Sequence, residues 1–373
     1  MSKPKRPFLD FYKEHSVIPT HLEISDKVEF FAQRNLLFES LGVLPNFLNG
    51  SKILEFGSGT GQKTEHLLSL KPKVYVAVDN NTESLKSTQA VISSSKFSGI
   101  VRVVNADFLD YQDSDKYDLI LAELVLPTQQ HPQLLLKKLI NMLEVGGILV
   151  ITCADSISIL SENLRRAIVK RLEFISNDIS DSAKRIIDFF ESDLDFLVGM
   201  NRRRVDWAID QMIKPTIGPQ LSIPEAIEEF NSSAKFYGSS PRFVEDLRWY
   251  KSPDIKLVSL NTIAEKNYWR KCHNFLDFRH EYQTLDEQVN YQLKDISDKI
   301  YKVVQELEWS SESFASLYEN CKNITTLISA NCPETAGSIA SFIDFWETGD
   351  PRALKLFRPW WGRGTQYISV IRT

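Results

Sequence analysis

The sequence predicts an α/β fold built on a parallel sheet, and three observations carry that expectation. Between residues 50 and 152 short β-branched runs alternate with stretches of helical period, each run is almost continuously apolar, and the first run opens into a glycine-rich turn. A strand covered by helices on both faces has no polar side, so unbroken apolar runs fit a parallel sheet better than the alternation of a half-solvated one. Strands and helices taking turns along the chain complete the pattern.

In order, the runs are Lys52–Phe56, Val74–Asp79, Ile100–Val104, Tyr117–Ala122 and Gly147–Thr152. Between them, Lys63 to Leu70 and Pro132 to Leu143 carry leucines at helical spacing, and Gly146-Gly147 is expected to stop the second helix before its strand. This gives a core over residues 50–155. Upstream, residues 7–48 read as amphipathic helix with Phe30, Phe31, Leu36, Leu37, Phe38 and Leu41 on one face, so residues 1–49 are expected to form an N-terminal helical cover. Downstream, residues 156–250 mix apolar and charged side chains at helical period, with breaks at Pro215, Pro219, Pro224 and Pro241, and read as a helical insertion. Residues 251–373 are expected to supply the remaining strands, Lys256–Leu260 and Gln366–Arg372, around a second helical insertion at about 262–350. Within that insertion Val289, Leu293, Ile296, Ile300, Val303 and Leu307 form an a/d stripe on a long helix. Two uses fit the stripe: a homodimer through residues 289–307, or packing of the helix on its own chain.

Composition excludes several classes of function. The 44 Lys+Arg against 49 Asp+Glu leave a net charge of −5, which speaks against a general polyanion binder, so no nucleic-acid partner is expected. The basic N-terminus runs into Asp10, Lys13 and Glu14 without the apolar stretch of a secretory signal. No window is apolar for the roughly eighteen residues a transmembrane helix needs. A cytoplasmic protein is therefore expected. Cys153, Cys272, Cys321 and Cys332 are too far apart for a CxxC pair and read as reduced thiols. His273 and His280 would share a face of one helix but lack further ligands at suitable spacing, so no metal is expected. The run Arg202-Arg203-Arg204 reads as a solvated face.

The residues that carry chemistry lie at the ends of the first strands. In Ile53-Leu-Glu-Phe-Gly-Ser-Gly-Thr-Gly61 an acid, Glu55, precedes a turn in which Gly57, Gly59 and Gly61 alternate with Ser58 and Thr60. Such a turn lets backbone N–H groups approach a ligand near a helix N-terminus. A dinucleotide fingerprint would carry its third glycine one place later, where Gln62 stands, so a nicotinamide cofactor is disfavoured. Asp79, with Asn80 after it, ends the second strand where a carboxylate can accept from ribose hydroxyls. Asp107 follows the third strand, and its carboxylate beside Phe108 suits the exocyclic amine of a stacked adenine.

Glu55 to Gly61, Asp79, Asn105-Ala-Asp107 and Asp118-Leu-Ile-Leu-Ala-Glu123 together resemble the successive motifs of class I S-adenosylmethionine-dependent methyltransferases, over roughly residues 50–152. The resemblance implies a Rossmann-like sheet closed by an antiparallel hairpin, and S-adenosylmethionine as cofactor. It places Glu55 and the glycines under the methionine part, Asp79 at the ribose, and Asp107 with Phe108 around the adenine. Asp10-Phe-Tyr-Lys-Glu-His15, Ser240-Pro-Arg-Phe-Val-Glu-Asp246 and Gly362-Arg-Gly-Thr-Gln-Tyr367 further resemble segments of methyltransferases encoded with bacterial surface-polysaccharide genes. That implies a glycan or small-molecule acceptor methylated on oxygen.

A hydroxyl acceptor benefits from a base. Glu123, just past the fourth strand, is the first candidate to meet the acceptor or its proton, against a cap or ion-pair role; His131 is the second, against a helix-start role before Pro132. In the tail, Trp360, Trp361 and Arg363 suit sugar stacking and an anionic group, or alternatively pack the last strand. Methylation of protein or nucleic acid, and a non-catalytic module that keeps the cofactor pocket, are the competing readings. The run Glu123-Leu-Val-Leu lacks the Asn/Asp-Pro-Pro-aromatic pattern of amino-methylating DNA enzymes.

Overall fold

The computed structural model describes residue 11 and residues 24–215, 218–230, 232–252, 258–306 and 308–373. In chain order its principal elements are α1 (Lys27–Ser40), β1 (Lys52–Phe56), α2 (Gln62–Ser69), β2 (Val74–Asp79), α3 (Thr82–Ser94), β3 (Ile100–Asn105), β4 (Tyr117–Ala122), α4 (Pro132–Met142), β5 (Leu143–Cys153), α5 (Leu160–Arg171), α6 (Ile179–Leu194), α7 (Ile223–Phe230), β6 (Ala234–Ser240), α8 (Leu260–Lys271), α9 (Glu287–Gln305), α10 (Ser311–Ile328), α11 (Pro333–Thr348) and β7 (Gln366–Arg372). The chain divides into two compact units. One comprises Met1–Ala154, Gly218–Tyr268 and Gln366–Thr373; the other comprises Asp155–Ile217 and Trp269–Thr365.

The first unit holds a seven-stranded sheet in the order β3-β2-β1-β4-β5-β7-β6. The pairs β1–β2, β2–β3, β1–β4 and β4–β5 are parallel, while β7 runs antiparallel to both β5 and β6. This is the expected Rossmann-like α/β sheet, closed from the end of the chain. Continuous apolarity has its physical cause here: β2 is buried at all six positions, so a polar residue on either face would lose its water without a partner. On one face Ile53, Tyr75, Ala77, Leu119, Leu121, Ile148 and Val150 form a cluster with Phe38, Leu41, Leu67 and Leu68 of the covering segments.

Helix α1 is started by Asp26, whose carboxylate accepts from the backbone N–H of Val28 at 2.7 Å and of Glu29 at 3.2 Å. Its buried residues Phe30, Arg34 and Phe38 recur every four positions and make one stripe. Leu36, expected on that stripe, is 64% exposed, because the helix turns it to the opposite side. Of the expected cover, residues 1–10 and 12–23 lie outside the described residues.

Three other expectations change. The segment 156–250, expected to be helical throughout, contains β6, and residues 218–268 cluster with the sheet rather than with the preceding helices. Strand β6 alternates buried Ala234 and Phe236 with exposed Lys235 and Tyr237, a period-two signal carried by few residues before Gly238. Gly238 is required there, since a Cβ would stand 2.8 Å from the Leu41 backbone at the end of α1. The strand expected at Lys256–Leu260 lies partly outside the described residues, and Leu260 begins α8 instead. Helix α4 ends at Met142, four residues before the glycines expected to stop it, and β5 starts at once with Leu143.

The second unit is helical apart from its connections. Helix α9 realises the expected long helix, but Leu293, Ile300 and Val303 of its stripe are buried against α10 and α5 of the same unit. These three are spent within the chain, while Val289 and Ile296 of the same stripe stay half-buried; Leu307 lies outside the described residues. Trp360 and Trp361 are 0% and 2% exposed. Their indole N–H groups donate to the carbonyls of Leu276 at 2.7 Å and Asp193 at 3.1 Å. They are core residues, and the expected stacking rim is corrected accordingly. Arg363 donates to the carbonyls of Asn274 at 2.9 Å and His280 at 3.4 Å, so it too is engaged inside the unit. Residues 272–275 form a 3-10 turn followed by irregular chain, so His273 and His280 do not share a helix. Each arginine of the 202–204 run meets an acid, Asp210, Asp206 and Asp195 respectively, and the Arg203 and Arg204 side chains stay 47% and 40% exposed.

Candidate active site

The turn after β1 is built from three left-handed glycines. Gly57, Gly59 and Gly61 have φ of 73°, 56° and 80°, a region that costs an L-residue about 1–2 kcal/mol. Space is as restrictive as conformation. A Cβ on Gly57 would stand 2.8 Å from Val125 and 3.9 Å from the Phe108 ring, and one on Gly61 would stand 2.9 Å from the Thr88 backbone. The result is a cradle without side chains at the carboxyl edge of the sheet, ending where Gly61 leads into α2.

Asp79 lies over this turn. Its two carboxylate oxygens accept from the N–H of Asn81 at 2.9 Å and of Gly59 at 3.4 Å, and it is only 7% exposed. Burial raises its carboxyl above the usual range, with the Asn81 and Gly59 N–H groups working the other way. Asn80 beside it is half-buried. On the neighbouring strand, Asp107 accepts from the Leu109 N–H at 3.0 Å, forming a local turn that holds Phe108. Phe108 packs edge-on against Phe56, with ring centroids 5.3 Å apart. From α4, the Lys138 ammonium donates to the carbonyls of Phe108 and Leu109 at 3.0 and 2.8 Å and clamps this turn from behind.

Two of the expected cradle side chains are turned to other partners. Ser58 is buried and its hydroxyl accepts from Thr88 at 2.8 Å. Glu55, also buried, accepts on one oxygen from the hydroxyls of Thr64, at 2.9 Å, and Tyr75. Burial raises its carboxyl, and those two donors oppose the rise. Glu55 therefore braces β1 against β2 and α2 from within.

Glu123 is buried between two cations. Arg34 of α1 donates to both its oxygens, through Nη1 at 3.1 Å and through Nη2, and Lys63 of α2 reaches it at 2.7 Å. Burial alone would raise its carboxyl; Arg34 and then Lys63 outweigh burial and hold it near 2. Of the roles weighed for Glu123, the ion pair is the one its partners make. His131 is exposed at the start of α4, just before Pro132, with no side-chain capping bond. Arg34, Lys63 and Lys138 were not singled out from the sequence. Lys63 stands two residues past the glycine turn, a position that could have been weighed. Arg34 had no signal, since its partner is 89 residues away.

The cradle fits the adenosyl cofactor that the motifs imply, on the chemistry of its donors and its shape: a turn that tolerates no Cβ at Gly57 or Gly61, a buried carboxylate over it, and an aromatic ring beside it. Among the described residues no group of three or more His, Cys, Asp or Glu could hold a metal ion. No helix among them is long and apolar enough to cross a membrane.

Comparison with known proteins bears on the same segment. A family model described as a methyltransferase domain, Methyltransf_31, matches residues 48–188. The malonyl-[acyl-carrier protein] O-methyltransferase of Paenibacillus sp. (strain JDR-2) is 34% identical over 104 residues, which cover 27% of this chain and 38% of that enzyme. The chain thus spans well under half the length of that relative. Among solved structures, the N-methyltransferase NodS of Bradyrhizobium japonicum WM9, in complex with S-adenosyl-L-homocysteine, is similar at 20% identity and a TM-score of 0.33, covering 41% of this chain and 75% of NodS. PKMT2 of Rickettsia typhi, in complex with AdoHcy, is similar at 15% identity and a TM-score of 0.45, covering 63% of this chain and 49% of PKMT2.

Proposed function

We propose that this chain, whose residues 48–188 match a methyltransferase-domain model, is a class I enzyme that transfers a methyl group from S-adenosylmethionine to an oxygen acceptor. The observation that carries the reading is the left-handed glycine turn lying under Asp79 at the carboxyl edge of the sheet. When bound, the cofactor supplies an activated methyl group on a sulfonium. The chain's own work is to bind and to orient. Gly57, Gly59 and Gly61 would receive the methionine part, Asp79 with Asn80 the ribose, and Asp107 with Phe108 the adenine. Lys138, through the Phe108 and Leu109 carbonyls, would keep that last wall in place.

For the acceptor we propose a sugar of a bacterial surface polysaccharide or of its precursor. Support comes from the three sequence segments at 10–15, 240–246 and 362–367, of which 10 and 12–15 lie outside the described residues. A second reading, a carboxylate acceptor, is favoured by one observation: Glu123 is ion-paired rather than free to act as a base, and a carboxylate has no proton to lose at neutral pH. The relative from Paenibacillus is named for methylating a malonyl group carried by acyl-carrier protein. Equilibrium binding of S-adenosylhomocysteine, followed by transfer of labelled methyl to sugar nucleotides, oligosaccharides and malonyl-acyl-carrier protein, tests all of this. Product on a sugar supports the first acceptor, product on the malonyl group the second. Binding without turnover on any acceptor would favour a non-catalytic module.

A further inference from the structure

Next to the turn that carries Asp107 and Phe108, a surface groove of about 490 Å³ runs between the 111–116 segment and α4, within the first unit. That volume suits a small ligand. Leu134, Lys137, Lys138 and Asn141 recur three or four residues apart, so α4 turns one face to the groove. We propose that this groove is a second ligand site, for a phosphate monoester carried on a small apolar body, and that its occupancy strengthens cofactor binding. The link to the cofactor rests on the methyl-transfer reading above, while the site itself does not.

Charge selects the ligand. The acid lining the groove, Asp113, is already spent: it accepts from the Tyr111 and Tyr117 hydroxyls at 2.7 and 2.6 Å and meets Arg102 at 3.1 Å. Of the three lysines, Lys137 pairs with Glu229 at 2.6 Å. The other two meet neutral oxygens. Lys116 donates to the Asn141 carbonyl at 2.6 Å, and Lys138 to the Phe108 and Leu109 carbonyls at 3.0 and 2.8 Å; neither makes an ion pair among the described residues. Burial lowers the Lys138 pKa, and the charge of Asp110 opposes this only in part. An ammonium has three donors, so two remain on Lys116 and one on Lys138. Two unpaired ammoniums match the roughly −1.5 to −2 charge of a phosphate monoester at pH 7, whereas a single carboxylate would leave one of them unmatched. Leu134 stands 56% exposed on the same face of α4, and the buried Tyr111 and Met142 also line the groove, which gives an apolar body somewhere to lie.

Lys138 joins the groove to the cradle. Its ammonium holds the two carbonyls of the turn that carries Phe108, and its remaining donor is one an anion can take without breaking either bond. A phosphate there pins the ammonium in the arrangement that braces the adenine wall. Ligand and cofactor then favour one another, each by the same factor.

Calorimetry on the full chain tests this with phenyl phosphate, inorganic phosphate and S-adenosylhomocysteine. Phenyl phosphate should bind the wild type more tightly than inorganic phosphate does, and Lys116→Met should weaken it about ten-fold, the scale of one charge-assisted bond. That substitution leaves the end of α4 partnered, because Arg372 also donates to the Asn141 carbonyl, at 3.3 Å. Affinity for S-adenosylhomocysteine alone should therefore not change in it. Leu134→Ser should remove most of the preference for phenyl phosphate over inorganic phosphate. Saturating phenyl phosphate should tighten S-adenosylhomocysteine several-fold in the wild type, and Lys138→Met should lose that response. Equal binding of phenyl phosphate by the wild type and Lys116→Met, or of phenyl and inorganic phosphate by the wild type, overturns the site. Phenyl phosphate that leaves S-adenosylhomocysteine unchanged, or weakens it by competing in the cradle, overturns the coupling. If the wild type binds phenyl phosphate through Lys116 but no S-adenosylhomocysteine, the methyl-transfer reading falls, the coupling falls with it, and the groove is upheld. Melting curves confirm that the variants are folded, and Lys116→Gln serves in place of Lys116→Met should that one not fold.

Discussion

Both units hold buried carboxylates that meet two cations, and the clusters around Asp193 and Glu123 are finished differently. In the helical unit Asp193 meets Arg165 at 3.0 Å and Arg358 at 2.6 Å. Arg165 is fully buried and uses every donor it has: Nε and Nη2 reach Asp193, Nη1 reaches the carbonyls of Ser161 and Trp360, and Nη2 also reaches that of Arg358. Its guanidinium lies 3.6 Å from the Trp361 ring centroid and 4.6 Å from that of Phe357. In the sheet unit, Arg34 leaves Nε–H unmatched and the Lys63 side chain is 21% exposed. Charge count alone therefore does not describe such a cluster. The two differ in whether every donor already has an acceptor, and an unmatched buried donor is unfavourable.

The widest test of that contrast is to break the closed cluster. Arg165→Met should cost about 3–5 kcal/mol in urea denaturation, since it leaves Asp193 short of a buried partner. A cost below about 1 kcal/mol would mean that the network is far looser than its geometry.

Next in size is an acid titration of the open cluster's surroundings. His66 is buried between the Phe31 and Phe38 rings, and burial, then the nearby Arg34 charge, lower its pKa to about 4. Its folded value lies below the ordinary 6.5, so the unfolded chain takes up the proton first and stability falls as pH drops from about 6.5 to 4, by at most about 3 kcal/mol. His66→Leu should flatten that limb. Below it, Glu123, held near 2 from an ordinary 4.5, loses its contribution as pH falls from about 4.5 to 2. A stability curve with no slope between pH 6.5 and 4 in the wild type would contradict the burial of His66.

Asp79→Ala addresses a group we place at the ribose. It should weaken S-adenosylhomocysteine by about 1.5–3 kcal/mol, the worth of hydrogen bonds to a charged group, and calorimetry reads this directly. Unchanged affinity would remove Asp79 from the proposed site. The smallest effect belongs to a charge pair with neither burial nor a ligand to serve. Lys299 pairs with Asp295 on the surface of α9 at 2.7 Å, and Lys299→Ala should cost only about 0.3–0.5 kcal/mol in the same denaturation assay.

What the sequence by itself determined is the part of the fold whose signals are local. Five parallel strands, the glycine turn and the three acids at strand ends follow from runs of a few neighbouring residues, each subject to one constraint: burial on both faces, a backbone that must enter the left-handed region, a carboxylate at a strand tip. The last strand was legible for the same reason. Strand β6 was harder to see because its alternation covers only four residues before Gly238, and Gly238 is there to let α1 approach.

Tertiary structure alone decided the roles of polar and amphipathic side chains. Trp360 and Trp361 have the composition of a sugar platform, but each indole N–H finds a buried carbonyl in its own unit, and the rings become core. Glu123 stands where a base would serve, yet Arg34, 89 positions earlier, and Lys63 draw it down to about 2. An apolar side chain has one destination, the interior, and its neighbours announce it. A charged or aromatic-polar one can end in water, in a pair or against a ligand, and the choice depends on partners that only the folded chain brings within about 3 Å.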